Sequence, residues 1–157
     1  MGALLTRTYR GRGRTGLDGA VSSGTGHQSP ALVSAGKVMS AIDIRRNGSM
    51  HKSDFLNKMA FGAYNDKFEN PRTSSDWLSR DEAAVDLYNE DPLCGFVPTA
   101  GLLHDMMNGI AFVTQPKNIA RMTKDLPILF VSCDCDPVRQ QGRGVIRASK
   151  CFPQARL

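Results

Sequence analysis

The sequence predicts an α/β fold, two parallel strands with flanking helices plus a helical cap, on three observations. Residues 126–131, LPILFV, form a short apolar run rich in branched and aromatic side chains, the pattern of a strand buried on both faces. Residues 17–23, LDGAVSS, read as a second short strand closed by Gly24-Thr25-Gly26. From His27 to about Lys117, between the strands, apolar residues recur at helical rather than alternating spacing.

The elements follow in chain order. Gly2 to Arg10 reads as a short helix with Leu4, Leu5 and Thr8 on one side, ended by the Gly/Arg run to Gly16. Helix, turn, strand is the second half of a βαβ unit whose first strand is absent. Ala31 to Ile44 carries a stripe of Leu32, Ala35, Val38, Met39 and Ile42, and Asn47-Gly48 breaks it. Ser53 to Tyr64 repeats the pattern with Phe55, Leu56, Met59, Ala60 and Ala63. Ser79-Arg80-Asp81-Glu82 matches a capping box, predicting a helix through Ala83, Val85, Leu87 and Tyr88 that stops at Asp91-Pro92. Thr99 to Val113 predicts a fourth long helix that buries Leu102, Leu103, Met106, Met107 and Ile110. A short helix near Asn118 to Met122 leads into the strand at Leu126, and the tail from Gly142 to Leu157 begins another helix. Helices inserted between consecutive buried strands predict a cap over the C-terminal edge of the sheet, enclosing an apolar pocket.

Composition narrows the class. One domain is expected of 157 residues, with a net charge of +5 that comes largely from Arg7, Arg10, Arg12 and Arg14 in one stretch. That stretch, RTYRGRGRTG, could contact phosphates, but with a single aromatic, Tyr9, it reads as a solvated helix-to-strand loop; no nucleic-acid partner is expected. No run approaches the ~20 apolar residues of a membrane span. The four cysteines, Cys94, Cys133, Cys135 and Cys151, lack the dense spacing of a disulfide framework, which predicts reduced thiols and a cytoplasmic location. Asn47-Gly48-Ser49 matches a glycosylation acceptor and is read as a turn.

The chemistry-bearing stretch is Cys133-Asp134-Cys135-Asp136, at the C-terminal tip of the second strand, which Pro137 stops just after Asp136; that tip is where ligands bind in open parallel sheets. A metal site needs three or four converging ligands, and strand alternation puts the cysteines on one side and the aspartates on the other. A catalytic carboxylate and an ordinary solvated strand end are the other readings. His27, His51 and His104 lie in the helical region, where a surface or locally bonded histidine is the plain reading; His27, just after a strand end, is the best placed as a base. Met39, Met59, Met106 and Met107 serve as core filler, as the lining of an acyl-chain pocket, or as both.

Four stretches, LDGAVSSGTG (17–26), NKMAFGAYNDKF (57–68), DWLSRDEAAVDLYNEDPLCGF (76–96) and KDLPILFVSCDCDPV (124–138), resemble the α/β-hydrolases. The group resembled is the lysophospholipase and monoacylglycerol-lipase-like, serine aminopeptidase-like one, and the third stretch is the most specific. The resemblance implies a partial α/β-hydrolase sheet: core over residues 1–26 and 118–157, helical cap over 27–117. It implies ester hydrolysis of a lysophospholipid or monoacylglycerol through a serine acyl-enzyme, with a lipid or ester small molecule as substrate and no cofactor. By position the triad acid is Asp136, and Asp134 resembles the more variable acidic position beside it. Cys133 replaces the glycine more usual there.

The family's nucleophile lies in G-x-S-x-G at a strand-to-helix turn. That motif occurs nowhere in the 157 residues, and Met1-Gly2-Ala3-Leu4 resembles the segment following the serine. The resemblance makes the Met1 nitrogen the oxyanion donor, though as a chain terminus it is an amine. It places the catalytic histidine beyond Leu157. The expectation is therefore a truncated, catalytically incomplete hydrolase, poorly stable alone; the alternative is a non-catalytic lipid-binding or interaction module built from the cap helices.

Overall fold

Of residues 17–23, only Ala20–Ser23 form strand β1; the residues before it are irregular, with a bend at Asp18. The computed structural model describes residues 1–13, 16–122, 125–133, 136, 143–150 and 155–156. Helix α1 spans Gly2–Gly11 and precedes β1; α2 spans Pro30–Asn47 and ends at Gly48, whose φ of 89° suits glycine alone. Then come α3 (Asp54–Phe61), α4 (Glu82–Glu90), α5 (Ala100–Thr114), α6 (Pro116–Ile119), β2 (Ile128–Val131), α7 (Arg143–Ser149) and β3 (Ala155–Arg156). The α/β class is as expected. The short helix starts earlier than Asn118 because Pro116 sits at its first position, where its missing N–H costs nothing.

The chain divides into two compact units, one of Met1–Lys37 with Asp105–Leu157, the other of Val38–His104. The first holds a parallel sheet in the order β1-β2-β3. Ala20 pairs with Ile128 and Ser23 with Val131, while Ile128 also pairs with Ala155. The expected two-stranded pair therefore gains a short third strand, and β2 is central. Ile128 and Phe130 bury one face with Met122 and Val145, and Ile119 packs against this cluster. The other face corrects the reading of a strand buried on both sides: Val21 is 68% exposed, Leu129 44% and Val131 47%. Side chains alternate along a strand, so covering one face protects only every second residue.

Two further expectations fail. Arg7 and Arg10, read as part of a solvated segment, lie on α1 and are buried, whereas Leu5 is exposed. The apolar stripe of α2 is also turned outward at Leu32, Val38 and Ile42. Its inward line runs through Val33, half-buried Gly36 and Ser40. A Cβ at Gly36 would meet the Met107 sulfur at 3.1 Å, so small size there permits close helix packing.

The second unit is helical. Ser53 caps α3 by accepting from the Leu56 amide at 3.3 Å. The capping box at Ser79 does not form: Asp81 caps α4 by accepting from the Ala83 amide, and the Ser79 hydroxyl instead accepts from Asp81 N–H. Lys52 and Thr99 form an antiparallel bridge, beside Ala100 N–H donating to His51 O at 2.8 Å. The loop before α4 is fastened by Asn65, which donates to Thr73 O and accepts from Trp77 N–H, and by Asp76, which accepts from Thr73 and Arg72 amides. Arg72 in turn bridges Asp76, Glu82 and Asp86. Tyr64 stacks edge-on against Trp77, with ring centroids 4.9 Å apart.

Candidate functional site

The C-terminal edge of the sheet gathers the candidate residues. β1 and β2 are parallel and in register, so they end together at Ser23 and Val131, and Gly24 N–H donates to Val131 O at 2.8 Å across the two ends. Beyond β1 come buried Thr25 and half-buried Gly26 and His27; beyond β2 come Ser132, exposed Cys133 and half-buried Asp136. Asp136 was expected at the strand tip, with Pro137 stopping the strand. The strand instead stops at Val131, where its partner β1 ends, and Asp136 lies in the following loop. Asp134, Cys135 and Pro137 lie outside the described residues.

Arg7 shapes this edge. It is 3% exposed, and its guanidinium donates to Gly26 O at 2.9 Å, Thr25 Oγ1 at 3.4 Å and Val113 O at 3.4 Å. A planar fork reaches several acceptors at once, where a single ammonium would not. The tie runs from the middle of α1 to the turn just past β1, which fits a helix antiparallel to the strand after it, with side chains leaning toward its N-terminus. The Met1 end of α1 therefore lies on the strand-tip side. Met1 itself is exposed, and its carbonyl accepts from Leu4 and Leu5 N–H. At the other end Gly11 packs against Phe112, Met122 and Asn118, and a Cβ there would come within 3.1 Å of the Phe112 ring.

Burial first, then the charges of Arg7 and Arg147, hold the His27 imidazole below the usual histidine range. Burial likewise lowers the Arg10 guanidinium from its ordinary value. Among the described residues no three His, Cys, Asp or Glu side chains converge as metal ligands.

His51 is an exposed turn residue, donating its amide to Gly48 O. His104 Nδ1 lies 2.9 Å from Ser40 Oγ, a serine–histidine pair that sequence reasoning missed. Ser40 is 1% exposed, so the pair joins α2 to α5 and offers no reachable nucleophile. Arg7 was also missed, although Leu4, Arg7 and Gly11 share one helical face and the small Gly11 marks it as a packing face.

The chain matches, over residues 1–151, the family described as Serine aminopeptidase, S33. A highly thermostable carboxyl esterase from Bacillus coagulans, solved in complex with glycerol, superposes with a TM-score of 0.85 at 23% identity, covering 97% of this chain and 49% of that one. A lipase in its open form superposes with a TM-score of 0.81 at 19% identity, covering 96% of this chain and 49% of that one. At these identities the likeness is one of fold, and this chain spans about half the length of both structures. No curated protein matches it.

Proposed function

The chain belongs to the Serine aminopeptidase, S33 family, and from that premise we propose that it supplies the acid and the helical cap of a serine α/β-hydrolase acting on carboxylic esters. The substrate class is lysophospholipid or monoacylglycerol. The observation that supports the reading is that half-buried Asp136 lies in the loop that follows β2.

In that role Asp136 accepts the N–H of a histidine imidazole, fixes its tautomer and stabilises its charged form while the imidazole takes a serine proton. By the same resemblance the Met1 nitrogen is the proposed oxyanion donor. Serine and histidine come from outside the 157 residues, because G-x-S-x-G is absent from them and neither His27, His51 nor His104 occupies the position the resemblance requires. Residues 27–117 are the proposed helical cap, and the exposed Phe55, Met59 and Phe96 of that stretch suit an acyl chain. The same exposed side chains favour the second reading, a lipid-binding module without catalysis.

A fluorophosphonate probe tests the assignment. The purified chain is expected to take no serine label; covalent labelling of any serine in it would overturn the claim that the nucleophile lies elsewhere. Binding of a lysophospholipid without turnover is expected under both readings. Loss of ester turnover on Asp136→Asn, in an assembly that has a serine and a histidine, separates them.

A further inference from the structure

The Asn47-Gly48-Ser49 motif closes α2, and all three residues are exposed. An asparagine followed by glycine can modify itself, because glycine has no Cβ to hinder attack of its backbone nitrogen on the preceding side chain. A Cβ placed at Gly48 would meet nothing within 4 Å, so the approach is open from outside as well. Two hydrogen bonds oppose the attack. Gly48 N–H donates to Ile44 O at 2.8 Å, and Asn47 Nδ2 donates to Asp43 Oδ1 at 2.8 Å, one helical turn back. The last turn of α2 thus holds both reacting groups, and helix ends fray. The residues beyond the motif carry the consequence. Ser49 O accepts from Gly101 N–H at 2.9 Å and His51 O from Ala100 N–H at 2.8 Å, so the turn after α2 fixes the start of α5 within the helical unit. The fit is close, since a Cβ at Gly101 would come within 3.0 Å of Ser49 O.

We infer that Asn47 is a self-modification site, gated by the last turn of α2, whose conversion to aspartate or iso-aspartate releases the following turn from α5. When the helix end opens, the Gly48 nitrogen loses its proton to hydroxide and bonds to Asn47 Cγ. The Cγ–Nδ2 bond breaks, ammonia leaves with a proton taken from water, and a cyclic imide closes. Water then opens either carbonyl bond of the ring, giving aspartate, or iso-aspartate whose main chain runs through Cβ and Cγ. Water is the co-reactant, and no partner protein is needed. Either product puts a second carboxylate beside Asp43 in place of its donor, at a helix C-terminus where negative charge is unfavourable. Asp43 Oδ2 is buried and has no hydrogen-bond donor among the described residues, so loss of the Asn47 amide is felt there. Iso-aspartate also lengthens the main chain by a carbon, which takes Gly48 N–H out of register with Ile44 O.

The test incubates the purified chain at mildly alkaline pH, folded and in guanidinium chloride, and follows the Asn47 peptide by mass with the two acidic isomers separated by chromatography. Conversion is expected in the folded chain, slowed about ten- to a hundredfold relative to the unfolded one. Asn108-Gly109, the same pair inside α5, should convert only in guanidinium. Asp43→Ala should speed the folded chain about fivefold, whereas Asp43→Asn, which keeps an acceptor oxygen, should stay within about twofold of the parent. In the converted chain, hydrogen exchange at the Ala100 and Gly101 amides should rise about tenfold or more, and by less in Asn47→Asp, which has the charge without the added carbon. Equal rates folded and unfolded, equal folded rates at Asn47 and Asn108, or an unchanged rate in Asp43→Ala would overturn the gate. No product from the folded chain would overturn the site, and unaltered exchange at Ala100 and Gly101 would overturn the release of α5. Circular dichroism checks that Asp43→Ala is folded; the comparison of Asn47 with Asn108 and the exchange readout stand without that variant.

Discussion

The two faces of β2 are built from equally apolar residues and meet different surroundings. Ile128 and Phe130 lie against Met122 and Val145, whereas Leu129 and Val131 are open. Strand periodicity decides which residues share a face; whether that face is covered depends on elements elsewhere in the chain or outside it. The sharpest way to break the comparison is to truncate one residue on each side. Phe130→Ala should cost about 3–5 kcal/mol, enough to unfold a marginal domain. Leu129→Ala should cost less than about 1 kcal/mol in the isolated chain. Urea unfolding of the two variants checks this, and equal midpoints would mean that the open face is not open in solution.

A second contrast sets Arg7 against the exposed arginines of the same segment. Arg7 serves two backbone carbonyls and a hydroxyl from a buried position, while Arg12 is exposed. Arg7→Met would fill much of the volume and strand the Gly26 and Val113 carbonyls, at a cost of about 2–3 kcal/mol. Arg7→Lys should recover less than half of that, because one ammonium cannot span the same acceptors. Arg12→Met should leave the unfolding midpoint where it is. If Lys restores stability fully, the fork geometry is irrelevant and charge alone holds the turn.

These contrasts show what could be read from the sequence. Local signals carried the elements: α1, α2, α4 and α5 fall close to their expected ranges because Gly48, Asp91 and the periodic apolar residues act over a few positions. Facing was not legible. The Leu32, Val38 and Ile42 side of α2 is the more apolar, but Gly36 and Ser40 form the inward line, since close packing against Met107 and the bond to His104 select small residues. Burial of Arg7 depends on carbonyls at Gly26 and Val113, distant in sequence, and no periodicity reports them. At the candidate site, Asp136 was named through the family resemblance and not through spacing. Its loop position was missed because β2 ends where β1 does.

The comparison of covered and open positions extends to the caps of the helical unit. Ser53 is buried and caps α3, whereas Ser79 is exposed and only supports the Asp81 turn before α4. Ser53→Ala should therefore cost about 1 kcal/mol and Ser79→Ala only a few tenths, roughly 0.3 kcal/mol. Thermal unfolding of the two variants orders them, and the reverse order would restore Ser79 as the N-cap.

The smallest effect expected is a pH dependence at His27, which sits half-covered at the strand tips. Burial, Arg7 and Arg147 all oppose its protonation in the folded chain, whereas the unfolded chain protonates it near the ordinary value of about 6.5. Above that value both states hold a neutral imidazole and His27 contributes no slope. As pH falls below it, the unfolded state takes up the proton first, so stability declines until pH drops past the lowered folded value, where the loss is complete. His27→Gln removes the titrating group while keeping a polar side chain, and it should flatten the stability profile on the acid side of about 6.5 without changing it near neutrality. Urea midpoints measured from neutral to mildly acid pH compare the two proteins. An identical acid-side slope would show that solvent reaches His27 freely, and the strand-tip edge would then belong with the open face of the sheet and not with the covered one.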